Sequence, residues 1–240
     1  MTTSTGQHYE VTFGKQRIPF TLEFRERERL AISVHPDRSV TVTAPKGRTI
    51  EDVMERVQRR AEWIATQRNY FEQFRPLTPP RQYVAGETHL YLGRQYRLKL
   101  IEGKEQSIKL VGQFLTACLP DRDDRDRIRK LLEEWYLEHA KDVFARRVEI
   151  CLQSARSLGL SPPTVVTRKM AKRWGSCTKA GRILLNTDLV KTPLHCIEYV
   201  IMHELCHIRV HDHSPQFYRL LSRCMPDWEH RKKRLESFVL

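Results

Sequence analysis

Two histidines four residues apart, with a glutamate directly after the first, constrain this chain more than any other feature. They stand in His203-Glu204-Leu205-Cys206-His207, within a segment where Ile197, Ile201, Leu205 and Ile208 recur at helical spacing. On an α-helix, residues four apart lie one turn apart on the same face. The two imidazoles can then converge only if this segment is helical. Thr192 stands where a cap belongs and Pro193 where a first helical residue belongs, so the spacing predicts a helix running to about Val210.

The same spacing carries chemistry. A His-Glu-x-x-His helix presents two metal-ligating imidazoles, with a carboxylate beside the first that reaches metal-activated water. Such a match arises by chance on many helices. Here it coincides with an amphipathic, capped helix and with a histidine-rich bend, His211-Asp212-His213-Ser214-Pro215. A catalytic zinc needs three protein ligands and one open position. His213 can fold back from the bend, since Ser214 and Pro215 read as the cap and start of the next helix. His211, four after His207, competes if the first helix continues. Asp212 is either a second-layer partner of a ligand histidine or a plain surface aspartate. His203 and His207 are thus candidate zinc ligands and Glu204 a candidate general base for hydrolysis. The remaining histidines (His8, His35, His89, His139, His195 and His230) read as surface or packed residues.

The rest of the chain reads as α+β. Strands are predicted at 18–24, 30–34 and 39–44, with His35-Pro36-Asp37-Arg38 as a turn. Thr49 caps an amphipathic helix to about Phe74, with Val53, Val57, Ala61 and Ile64 on one face. The proline-rich 74–82 reads as a linker. Strands follow at 88–93, 96–101 and 107–119, then a long helical pattern from Asp121 to about Gly159, which leaves room for a break or kink. Residues 164–169 read as a strand. Arg173 to Cys177 and Arg182 to Asn186 read as a hairpin turning at Lys179-Ala180-Gly181. The expected organisation is an antiparallel β-rich region with one helix over 1–120, then a catalytic domain over 121–240.

Composition narrows the setting. The net charge is +13 in 240 residues, which favours acidic partners such as nucleic acid or nucleotides. The basic residues are spread along the chain, so a solvated basic surface accounts for them equally well. The six cysteines (Cys118, Cys151, Cys177, Cys196, Cys206 and Cys224) form no Cys-x-x-Cys pair, and they read as reduced thiols of a cytoplasmic protein. The polar start, MTTSTGQHYE, lacks the apolar core of a signal peptide, and no apolar run approaches the ~20 residues that span a bilayer. No membrane association is expected.

HELCHIRVHDHSPQFY, with RWGSC and the Gly181-to-Asn186 stretch G-x-I-x-L-N, resembles the YgjP-like metallopeptidase family. HPDRSVTVTAPKG, YVAGETHLYLGRQYRL and EWYLEHA extend the resemblance over nearly the whole chain. It implies a zincin-like α+β core, distantly similar to SprT-like proteases, with a peptide or protein substrate. It implies His203, His207 and His213 as the zinc ligands and Glu204 as the acid/base. Tyr218 stands where the family pattern ends on a tryptophan, and Asp212 where asparagine is common; neither is a ligand. The His207-to-His213 spacing also equals that of metzincins, but Val210 replaces their glycine and no Met-turn motif is present.

Three further residues are candidates for substrate binding. Arg173 suits a carboxylate or phosphate, or a structural ion pair. Trp174 suits a cleft wall or the core. Asn186 suits orientation of backbone or substrate. Cys177 and Cys206 read as packing residues. Two functions compete with a peptidase: a metal-dependent nucleoside triphosphate pyrophosphatase, and a nucleic-acid-binding module with structural zinc. Glu204 argues against the last, since a structural site closes with four ligands and needs no free base.

Overall fold

The computed structural model describes residues 6–14, 16–35, 37–72, 81–156, 159, 162–171 and 173–238. Residues 74–80 of the expected linker, 74–82, lie outside them. The chain forms two compact units, Met1–Thr78 and Pro79–Phe238.

The N-terminal unit is a four-stranded sheet with two helices. Strands β1 (Gln7–Phe13), β2 (Gln16–Arg25), β3 (Ala31–Val34) and β4 (Val40–Pro45) take the order β1-β2-β4-β3. Strand β4 alternates buried and half-buried residues along its whole length, as a strand with one covered face must. Strand β1 has no counterpart in the sequence expectations because Val11 is its one buried residue, so it carries almost no apolar period. The expected single helix is two: α1 (Ile50–Arg59) and α2 (Ala61–Glu72), parted at Arg60. Thr49 caps α1, its hydroxyl accepting from the Asp52 N–H at 3.3 Å. Val53, Val57, Ala61 and Ile64 are all buried against β2 and β4 residues such as Ile18, Leu22 and Val42.

The second unit holds a sheet of β5 (Thr88–Tyr91), β6 (Arg94–Glu102), β7 (Ser107–Val111) and β8 (Phe114–Leu119), in the order β5-β6-β8-β7. Residues 107–119, expected as one strand, fold into the β7–β8 hairpin. Gly112 reverses the chain at φ +58°, a region that glycine enters without a Cβ clash. Helix α3 (Arg125–Ser154) follows, capped by the Asp124 carboxylate on the Arg127 N–H. Its 30 residues run unbroken, about 45 Å long. Next come β9 (Val165–Arg168), β10 (Gly175–Cys177) and β11 (Ile183–Asn186), a 3-10 turn at Thr187–Lys191, and helices α4 (Leu194–His207), α5 (Pro215–Cys224) and α6 (Trp228–Glu236).

The boundary expected at 120 lies instead at 78/79. Leu98, Leu115, Ala117 and Leu119 of the β5–β8 sheet share one core with Ile128 and Leu132 of α3 and Ile197 and Ile201 of α4. A cut at 120 would divide that core. Both four-stranded sheets are mixed: β2–β4 and β6–β8 run parallel inside otherwise antiparallel pairings. The α+β class stands. Among the described residues, no helix is long and apolar enough to cross a membrane, and all six cysteines are free thiols.

Candidate metal centre

Helix α4 starts and stops differently from the sequence expectation, and both differences shape the site. Pro193 takes the cap position, while the Thr192 hydroxyl donates back to the Leu189 carbonyl of the 3-10 turn. The helix ends at His207 rather than Val210. The chain then turns through Ile208 and Arg209, which frees the Val210 carbonyl to accept the Nδ1–H of His207 at 3.0 Å. That bond fixes the tautomer and leaves the Nε2 lone pair for a ligand.

Three imidazoles meet there. The Nε2 atoms of His203, His207 and His213 stand 3.2, 3.2 and 3.0 Å apart, and they form the metal-competent cluster among the described residues. His211 is exposed and outside the cluster. A tetrahedral zinc with bonds of about 2.05 Å separates its ligands by about 3.3 Å, so the donor set fits such an ion with little movement. Burial, then the neighbouring rings of His207 and His213, pushes His203 down to about 3, and His213 is lowered by the same kinds of cause. Both shifts favour the neutral imidazole, the state a metal ligand requires. Among the described residues, the Nδ1 of His203 is buried without a hydrogen-bond partner.

Phe217, fully buried in α5, forms a floor under all three rings. Its ring stacks on His207 at 4.4 Å and lies 4.9 and 5.0 Å from His203 and His213. Tyr199, one turn before His203, packs edge-on against it at 5.9 Å.

Glu204 is 6% exposed, and burial raises its carboxyl to about 7, against the opposing effects of Arg173 and of a hydrogen bond from the Cys177 N–H. Strand β10 lies against it because residue 175 is glycine: a Cβ there would stand 2.7 Å from Glu204 Oε1 and 2.8 Å from Val200 Cγ1. Strand β10 is also an outer strand of its three-stranded sheet, paired antiparallel with β11.

The other sequence candidates divide. Asn186 is fully buried, and its side chain serves the backbone. It donates to the carbonyls of Met170 (2.7 Å) and Arg173 (2.9 Å) and accepts from the N–H groups of Met170 and Asp188. Its own N–H holds the Trp174 carbonyl. Asn186 thus pins the segment that leads into β10. Trp174 is half-buried against the main core, and Arg173 is exposed within electrostatic reach of Glu204. Cys206 is buried, as a packing residue should be, and its thiol hydrogen-bonds with that of Cys224. Gly175, Phe217 and the Val210 carbonyl had no assigned role from sequence. The one advance signal was that Gly175 falls inside RWGSC and Phe217 inside HELCHIRVHDHSPQFY.

Residues 28–238 match the family model of the YgjP-like metallopeptidase domain. Among solved structures, the crystal structure of the metallopeptidase zymogen of Pyrococcus abyssi abylysin is similar at 23% identity and a TM-score of 0.30, over 43% of this chain and 90% of that one. No curated protein matches.

Proposed function

The chain belongs to the YgjP-like metallopeptidase family, and from that premise we propose that it is a zinc-dependent peptidase in which His203, His207 and His213 hold the metal and Glu204 is the general base. The observation that carries the reading is the triangle of Nε2 atoms with a buried carboxylate on the next residue. Zinc is favoured by the donor set: three imidazole Nε2 atoms at tetrahedral spacing. When bound, zinc supplies a Lewis acid for the scissile carbonyl and lowers the pKa of water towards about 7.

The chain's own groups do the rest. The Glu204 carboxylate takes the proton of the attacking water and passes it to the leaving amine. Its raised proton affinity suits a group that must hold that proton between the two steps. Gly175 gives the carboxylate its place, while the Cys177 N–H and Arg173 keep enough of it ionised to act as a base. The bond from His207 to Val210 holds its imidazole in the ligating tautomer, and Phe217 keeps water from beneath the three rings. An extended peptide can add to β10 by main-chain hydrogen bonds, which places its backbone beside Glu204. The free thiols favour the cytoplasm as the site of action.

The test uses zinc-loaded protein and its Glu204→Gln variant on unfolded proteins, peptides and a nucleoside triphosphate panel. Peptide cleavage by the wild type, lost in the variant with zinc retained, is the expected result. Pyrophosphate release that depends on Glu204, without peptide cleavage, would replace this reading with the nucleotide one. Full zinc occupancy with neither activity would leave a structural metal module.

A further inference from the structure

A second concave site lies at the other end of α4. It is a pocket of about 340 Å³ enclosed by β5, α3, β9, the 3-10 turn and the residues around Arg81, a volume in the usual range for small-molecule sites. None of its lining residues belongs to the histidine triad, to Glu204 or to Phe217. Asp188 and Lys191, on its wall, precede the first residue of α4. At about 1.5 Å of rise per residue, His203 and His207 lie roughly 14–20 Å further along that helix.

The wall has two chemical parts. Leu132, Leu137 and the rings of Tyr83 and Tyr136 supply an apolar surface. Four cations and two carboxylates supply the charged part, and the ion pairs leave a remainder. Lys169 pairs with Glu133 at 3.1 Å and Lys191 with Asp188, while Lys191 also lies 5.0 Å over the Tyr136 ring. Arg81 and Arg168 have no carboxylate partner among the described residues. Arg81 is half-buried and donates one N–H to the Thr88 carbonyl, which leaves the rest of its guanidinium fork unused. His89 adds no positive charge, because burial, with Arg81 beside it, pushes it down to about 4. An unbalanced guanidinium in a half-enclosed, partly apolar pocket attracts an anion more strongly than one in open water.

We propose that this pocket binds a small organic anion, a carboxylate or phosphate carried on a phenyl-sized apolar body, with Arg81 and Arg168 holding the anion and Leu132, Leu137 and Tyr83 packing the body. The inference stands apart from the peptidase reading, since it uses no residue of the metal centre.

The experiment titrates full-length, zinc-loaded protein with benzoate and with phenyl phosphate, followed by protein-observed NMR. Inorganic phosphate and benzyl alcohol, each carrying half of the chemistry, are controls. Saturable binding of benzoate or phenyl phosphate is expected, with shifts at residues 81–91, 132–137, 167–169 and 187–191. Whichever probe is tighter identifies a carboxylate or a phosphate ligand. Arg81→Met should weaken it about tenfold or more, the usual effect of losing a charge-assisted hydrogen bond. Arg168→Met, at an exposed position, gives the same reading should Arg81→Met fail to fold. Shifts confined to the three histidines, no saturation by about 10 mM, control compounds binding as tightly as the probes, or undiminished binding in folded variants would overturn the proposal.

Discussion

Gly175 stands so close to Glu204 that a Cβ on the glycine would lie 2.7 Å from the carboxylate Oε1. Strand β10 and helix α4 can approach this closely because one side chain is missing. Gly175→Ala should therefore displace the carboxylate while leaving the histidines in place. The expected outcome is a loss of about 100-fold in kcat, the usual consequence of misplacing a catalytic group by an ångström, with zinc affinity near wild type. Peptidase kinetics alongside zinc titration check it. Unchanged kcat would mean that Glu204 is not held by this contact.

The triangle closed by His213 makes a sharp comparison with His211. His213→Ala should weaken zinc binding by well over 100-fold, more than the 10–100-fold typical of losing a ligand's outer partner, while His211→Ala should leave it near wild type. Competition against a chelating dye measures both. The reverse pattern would mean that the bend rearranges when metal enters.

Phe217 is fully buried and touches all three imidazoles. Phe217→Ala should cost about 3–5 kcal/mol of stability, as large-to-small core changes do, and should weaken zinc binding as well. Phe217→Leu should recover most of the stability. Urea unfolding of the zinc-free chain separates the two effects.

Asn186 makes four side-chain bonds to backbone groups of residues 170, 173 and 188. Asn186→Ala leaves buried groups unpaired and should cost about 3 kcal/mol. Because this residue is argued to position the segment that leads into β10, the variant should lose kcat with little change in KM. A large rise in KM alone would restore its reading as a substrate contact.

His89 gives a pH dependence of stability with a definite sign. Its folded-state pKa, about 4, lies below the ordinary value of 6.5, chiefly through burial. The unfolded chain therefore takes up a proton at His89 that the folded chain refuses. Stability falls as pH drops from about 6.5 to about 4, by an amount on the order of 3 kcal/mol, and His89 contributes little further loss below that. Glu87 beside it opposes the effect, whereas Arg81 and Lys191 reinforce it. His89→Gln should flatten this part of the acid limb relative to wild type, as measured by unfolding midpoints between pH 4 and 7.

Much of the site was legible from spacing alone. An i,i+4 histidine pair on an amphipathic helix is a local pattern, and a local pattern survives in one dimension. The Thr49 cap, the buried faces of α1 and α2 and the β10–β11 hairpin were legible for the same reason. The division between units was misread at 120, although the proline-rich 74–82 marked it, because strands β5–β8 carry no sign of which core they join. Residues 107–119 were read as one strand because Gly112 looks like a tolerated glycine until the chain reverses there.

The sequence by itself determined the i,i+4 histidine pair, the glutamate between them and the α+β class, since each depends on residues within a turn or a strand of one another. The tertiary structure alone decided which histidine completes the triangle, why residue 175 is glycine, why Phe217 is aromatic and what Asn186 holds. Those are contacts between separate elements, set by how α4 ends at His207 and how β10 and α5 pack against it. No periodicity along the chain records such distances.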